Sequence, residues 1–106
     1  MSNQDQATVK KIVQTSERVH QQMEAIQQDI DQTLFVATTG DDTVHLTLNG
    51  KHELVDIQFS DAALTLTSST LSAFIVEAHS AANAQIAKAT RDKIISLADH
   101  LSNDHE

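Results

Sequence analysis

The 106 residues are enough for a single domain, and they include no cysteine, which excludes disulfide bonds and thiol chemistry. Three phenylalanines are the only aromatic residues, so the core must be built from aliphatic side chains and is thin for a chain of this length. The net charge of −8, from 7 basic and 15 acidic residues, opposes long-range attraction to nucleic acid. No segment is long and apolar enough to span a membrane, and the first residues are polar, which predicts a cytoplasmic protein without a membrane partner.

A long helix is predicted from about Asp5 to Asp31, because this segment lacks glycine and proline and carries an apolar stripe with the spacing of a heptad repeat. The stripe consists of Val9, Ser16, Met23 and Ile30, together with Ile12, Val19 and Ile26. At 1.5 Å per residue the helix is about 40 Å long. This is longer than a domain of this size needs, so we expect part of the stripe to contact another chain.

Three antiparallel strands are predicted next, at Thr33 to Thr39, Thr43 to Leu48 and about Glu53 to Phe59. The second strand alternates cleanly between apolar and polar residues. Asn49 and Gly50 after it are a strong hairpin signal. The result is a three-stranded meander with one apolar face to bury.

Two registers are open for the hairpin between the second and third strands. With Asn49 and Gly50 as the central turn residues, Val44 lies opposite Val55. With the turn one residue later, Val44 lies opposite Ile57. Both registers place the apolar residues of the two strands on the same side of the sheet.

A second long helix is predicted from an N-cap at Thr67 or Ser68 to about Leu101, with apolar residues mostly three and four positions apart. Its middle is rich in alanine, which permits close approach of another backbone. The fold class is therefore α+β, in the order α-β-β-β-α. Since two helices and one small sheet cover only part of each other's apolar surface, a homodimer is expected.

Residues predicted to form the core or the dimer interface come from the two helices and from the second and third strands. They are Val9, Ile12, Val19, Met23, Ile26, Val44, Leu46, Leu48, Val55, Ile57, Phe74 and Ile86.

Several features occur together in this chain: a heptad-rich first helix, a turn at Gly40, a V-x-L-x-L-N-G segment from Val44 to Gly50, a V-x-I segment from Val55 to Ile57, and an alanine-rich helix containing Asn83-Ala84. In this order they resemble the YbaB/EbfC family of bacterial nucleoid-associated proteins. The resemblance covers roughly Val9 to Ile95 and implies a single domain of this family over residues 1–106. The polar ends, residues 1–4 and 102–106, are expected to be flexible tails. The resemblance also implies a tight homodimer whose helices project as arms and bind DNA with little sequence preference.

Six basic residues on the two predicted helices are candidates for contacts with DNA phosphates. They are Lys10, Lys11 and Arg18 on the first helix and Lys88, Arg91 and Lys93 on the second. Lys11 and Arg18 are seven positions apart and share a face. The alternative is an ordinary solvated helix surface, on which Lys88 pairs with Asp92 four residues later.

Enzymatic and metal chemistry have no supporting motif. The six histidines, at positions 20, 45, 52, 79, 100 and 105, lack the spacing of a helical zinc site, although His45 and His52 can approach each other across the hairpin. There is no glycine-rich phosphate loop and no recognisable nucleophile motif. We therefore predict no catalytic residue, no cofactor and no resident metal.

The sequence thus predicts a homodimeric, nucleoid-associated protein that binds the DNA backbone with little sequence specificity. The alternative is an acidic protein–protein interaction module of the same fold that has lost DNA binding, because a net charge of −8 weakens any attraction to phosphate.

Overall fold

Two long helices flank a three-stranded sheet. The structure, a computed structural model, describes the backbone of residues 3–103 and the side chains of residues 7–102. The elements are α1 (Asn3–Gln32), β1 (Leu34–Thr39), β2 (Val44–Asn49), β3 (Leu54–Phe59), a 3₁₀ helix (Asp61–Thr65) and α2 (Ser68–Asn103). The α+β class and the element order predicted from the sequence are confirmed.

The helices include part of the segments expected to be flexible tails. Residues 3 and 4 belong to α1, and residues 102 and 103 belong to α2. The rest of the two tails, residues 1–2 and 104–106, lies outside the described residues.

The sheet has the order β1-β2-β3 with both pairs antiparallel. Strand alternation places one face of β2 in the core, where Val44, Leu46 and Leu48 are at most 1% exposed. On β1, Phe35 lies opposite Leu48, and the next core residue along that strand, Ala37, lies opposite Leu46. The central strand is therefore the best-buried part of the protein.

Both registers predicted for the second hairpin are wrong. Val44 pairs with Phe59, and Leu48 pairs with Leu54 across a bulge in the ladder. The cause lies in the turn, where the amide of His52 donates to the carbonyl oxygen of Asn49 at 3.0 Å and His52 has a positive φ of 66°. A turn followed by one left-handed residue makes a three-residue loop, and the bulge adds one more residue to β3.

Gly50 is required at this turn by a close approach of the backbone. A Cβ atom at this position would lie 1.8 Å from the carbonyl oxygen of Ile30 at the end of α1. Any larger residue would push the hairpin away from α1, so Gly50 sets how closely the sheet docks on that helix.

Helix α2 begins at a cap supplied by Thr67, whose hydroxyl oxygen accepts from the amide of Thr70 at 3.1 Å. Its first half lies on β1 and β2, and the fully buried Ala78 and Ala82 let the helix axis come close to the sheet. Ile86 and Ile30 complete this core where α1 joins it. Burial of each such aliphatic side chain contributes roughly 1.5–3 kcal/mol.

Beyond the sheet, the second half of α2 runs antiparallel to α1. The end of α1 lies at the sheet, and Asp29 near that end contacts Lys93. Ten residues of α2 follow Lys93, which brings its C-terminal end to the level of about Val19 on α1. The remaining part of α1 extends further, and the molecule is 77 Å long but only 22 Å by 17 Å across.

Candidate nucleic-acid interface

The N-terminal part of α1 carries three basic side chains that lie free in solvent. We call residues 7–18, all of which are exposed, the α1 arm. Among the described residues, Lys10, Lys11 and Arg18 form no ion pair within 4 Å, and Glu17 is the only acidic residue of the arm. The arm therefore has a net charge of +2 (three basic residues minus one acidic) in a protein whose total is −8.

The two lysines of α2 among the six candidates are already bound to carboxylates. Lys88 contacts Asp92 at 2.8 Å, as the solvated-surface interpretation predicted, and Lys93 reaches across to Asp29 on α1. The hydrogen bond from Lys88 lowers the pKa of Asp92 below its usual 3.8, and the charges of Lys88 and Arg91 act in the same direction. Arg91 forms no ion pair within 4 Å among the described residues.

The six basic residues are spread along the rod formed by α1 and α2. At 1.5 Å per residue, Lys10 lies about 28 Å from the level of Asp29 and Lys93, and Lys88 lies about 8 Å on the other side. The basic side chains thus extend over about 35 Å, which is comparable to one turn of B-DNA, about 34 Å. Of these six side chains, four form no ion pair among the described residues; three of the four lie at one end of this rod, on the α1 arm, and the fourth is Arg91.

Acidic side chains outnumber basic ones at the other end of the molecule. Residues 32–68, which contain the sheet and its turns, hold five acidic side chains against the single basic Lys51. A polyanion is therefore repelled from the sheet and attracted to the far end of α1.

The histidines that the structure describes contact other side chains or the backbone. His52 Nδ1 donates to Asn83 Oδ1 at 2.5 Å, and the amide of Asn83 donates to His79 Nδ1 at 3.2 Å. His45 Nε2 instead contacts the carbonyl oxygen of Asp42 at 3.1 Å, so the expected approach of His45 to His52 does not form a shared site. No group of three or more metal-ligating side chains occurs in the described part of the chain, and His105 lies outside it.

Comparison with known proteins identifies the family. The sequence matches the profile of the YbaB/EbfC DNA-binding family over residues 6–101, nearly its whole length. The chain belongs to the YbaB/EbfC DNA-binding family. Pairwise comparison with curated proteins gives no significant match.

A solved structure has the same fold as this member of the YbaB/EbfC family. An uncharacterized protein from Helicobacter pylori, HP0035, superposes with a TM-score of 0.63 and is 16% identical, with 92% of this chain and 97% of that chain covered. At this identity the similarity concerns the fold alone. Neither helix of the family member described here has an apolar stretch sufficient to cross a lipid bilayer within the described residues.

The apolar residues predicted for the core or the dimer interface of this YbaB/EbfC protein fall into three groups. The buried ones are Val44, Leu46, Leu48 and Ile86, and the half-buried ones are Val19, Ile26, Ile57 and Phe74. The exposed ones are Val9, Ile12, Met23 and Val55. The exposed group lies on surfaces of α1 and β3 that no other element of the described chain covers.

Sequence reasoning missed two long-range contacts, one within the candidate interface and one at the second hairpin. The Asp29–Lys93 pair joins residues 64 positions apart, and the His52–Asn83 contact joins residues 31 apart. Neither has a local sequence signal, because both depend on how the helices pack against each other and the hairpin.

Proposed function

We propose that this protein is a non-enzymatic, nucleoid-associated homodimer that binds the DNA backbone with little sequence preference. The observation that carries the proposal is the family match over residues 6–101. The unpaired basic side chains of the α1 arm and the guanidinium of Arg91 supply the phosphate contacts. Such a protein resides in the bacterial cytoplasm, on the nucleoid.

Backbone contacts fit the chemistry of the α1 arm. Lysine and arginine neutralise phosphates irrespective of sequence, whereas base reading requires side chains that reach the edges of bases in a groove. No aromatic side chain is available on the arm to stack on bases, since the three phenylalanines are at positions 35, 59 and 74. Binding by charge alone weakens steeply as salt is added, because it is driven by release of counterions from DNA.

The dimer is supported by uncovered apolar surface at β3. Helix α2 covers β1 and β2, whereas on β3 Val55 is 51% exposed and Phe59 is 46% exposed. These two residues belong to the strand whose Ile57 packs against the core. A second copy seated on β3 would extend the core across the dimer axis and remove this surface from water.

A groove on α2 adds to the uncovered surface. It is lined by Ser72, Ala73, Val76, Glu77, Ser80, Ala81 and Ala84, and Val76 is 69% exposed. Apart from Val76 and Glu77, the lining residues are alanines and serines. Side chains this small allow another backbone to approach closely. In the dimer that we propose, the apolar surfaces of β3 and α2 are the ones available to the partner, and both lie away from the α1 arm.

The proposal is tested by titrating a fluorescent DNA duplex with the protein at about 50 mM and about 200 mM salt, and by repeating the titration with a duplex of unrelated sequence. We expect binding at the lower salt concentration, a loss of at least tenfold in affinity at the higher one, and similar affinities for the two duplexes. Absence of binding at about 50 mM salt would reject DNA as the partner.

A second candidate function is an acidic protein–protein interaction module of the same fold. It is favoured by the net charge of −8 and by the five carboxylates around the sheet. A chain that ignores DNA at low salt but forms a stoichiometric complex with one basic protein would favour this function over the first.

A further inference from the structure

The α1 arm has an apolar seam that no other element of the described chain covers. Val9 and Ile12 are 60% and 63% exposed, and the neighbouring Val13 is 49% exposed. A shallow groove beside Ile12 is lined by Thr8, Thr15 and other residues of the same two turns. The seam lies beyond the end of α2, so α2 of the same chain does not reach it.

The apolar residues of the seam have the spacing of a helix that packs against another helix. The seam continues the heptad stripe in which Val19 and Ile26 are half-buried, Met23 is 37% exposed and Ile30 is buried where α1 meets the sheet. The same spacing that fits α2 at one end of α1 therefore continues into solvent at the other, with Ser16 as its one polar residue within the arm. The occupant that matches this spacing is another helix with a heptad stripe.

The flanks of the seam suit an identical helix. The heptad positions next to the seam within the arm are Thr8, Val13 and Thr15, none of which is charged. Lys11 lines the groove beside Ile12, where its methylene groups can pack against the seam while its ammonium group stays in solvent, and Arg18 lies beyond the groove. A second α1 arm can thus bury the seam while leaving the basic side chains of both copies in solvent.

Whether two arms pair depends on the positive charge that each arm carries. Each arm has a net charge of +2, so two arms side by side repel each other until an anion neutralises them. The seam also covers fewer than two heptads, which is too short for stable association of helices in dilute solution. DNA removes the repulsion and raises the local concentration of arms on the same duplex.

We propose that the α1 arms of two copies of this chain pair along the Val9–Ile12 seam when both are bound to DNA. This rests on the proposed function, since phosphate is the anion that neutralises the arms. Two paired arms present one continuous basic surface to the DNA, and the binding of successive copies to DNA becomes cooperative.

The chain lacks cysteine, so a single introduced thiol reports on the seam. Ile12→Cys places the thiol on the seam, and Gln14→Cys places it on the opposite side of the same helical turns as a matched control. Both positions are exposed, so neither change disturbs the core. We expect a short bismaleimide to cross-link Ile12→Cys several-fold more with duplex than without, and more than Gln14→Cys under either condition.

A second pair of variants tests the same seam without cross-linking. Ser16 is the one polar residue at a seam position within the arm, so Ser16→Leu should raise the cooperativity of DNA binding. Gln14→Leu adds the same side chain to the opposite side and should leave the binding curve unchanged.

The outcomes separate this inference from the function on which it rests. DNA binding with equal cross-linking of Ile12→Cys and Gln14→Cys would overturn the pairing alone, as would cross-linking of Ile12→Cys that is equal with and without duplex. Absence of DNA binding at low salt would reject the proposed function and the pairing with it.

Discussion

The structure distinguishes basic residues that are unpaired from basic residues that are bound to carboxylates, and this difference can be measured. Two double variants remove the same charge. Lys11→Gln with Arg18→Gln acts on the α1 arm, where neither side chain has an ion-pair partner among the described residues. Lys88→Gln with Lys93→Gln acts on α2, where both lysines are held by aspartates.

The expected magnitude follows from counterion release. Each phosphate contact contributes about 0.9 to the slope of log Kobs against log salt, so losing two contacts per protomer, four in a dimer, makes the slope shallower by about 3.6. Between about 50 and 150 mM salt, the affinity of the wild-type protein for DNA should therefore fall about 50-fold more than the affinity of the α1-arm variant. The α2 variant should change the slope by clearly less, because its lysines contribute little to phosphate contacts while they remain paired.

The assay is fluorescence anisotropy of a labelled duplex at several salt concentrations, with circular dichroism to confirm that each variant is folded. Removing Lys93 opens its contact with Asp29, but an exposed pair of this kind contributes only about 0–1 kcal/mol, so both variants should fold. Equal slopes for the two variants would refute the reasoning, since net charge alone would then govern binding.

Three further predictions concern single substitutions. Gln22→Leu should stabilise the fold by about 1–2 kcal/mol in urea denaturation, because Gln22 Oε1 is buried without a hydrogen-bond partner among the described residues. An unchanged urea midpoint would mean that this oxygen is solvated. Gly50→Ala should destabilise the fold by more than about 3 kcal/mol, since its Cβ would overlap the carbonyl oxygen of Ile30, and a wild-type melting temperature would contradict this. Asp92→Asn should raise DNA affinity by releasing Lys88. Because Lys88 lowers the pKa of Asp92, the pair's contribution to stability is present above pH 3.8 and is lost as the pH falls through the lowered pKa. The wild-type protein should therefore be the more thermostable at pH 7, and the difference from Asp92→Asn should vanish in acid.

The fold could be predicted from the sequence because its periodicity changes at clear points. The heptad stripe of α1 gives way to strict alternation at Val44, and helical spacing returns after Thr67. The register of the second hairpin could not be predicted, because it depends on a left-handed φ at His52 and on a bulge in β3. Neither has a signal as strong as the Asn49-Gly50 pair, which suggested a two-residue turn.

The six basic candidates could be found from the sequence, but their different states could not. The i,i+4 spacing of Lys88 and Asp92 indicated a local pair. The contact of Lys93 with Asp29 depends on the alignment of α1 with α2, which is set by packing at Ile30 and Ile86 rather than by neighbours in the chain. The exposure of the α1 arm also follows from that alignment, since it is fixed by where α2 ends.

Native mass spectrometry of the protein with a duplex of roughly 20 base pairs, about two helical turns, tests the central claim most directly. A homodimer that contacts phosphates through its α1 arms predicts a complex of two chains, or a multiple of two, on one duplex at low ionic strength. A spectrum containing only single chains and free duplex would contradict both the dimer and its function in DNA binding.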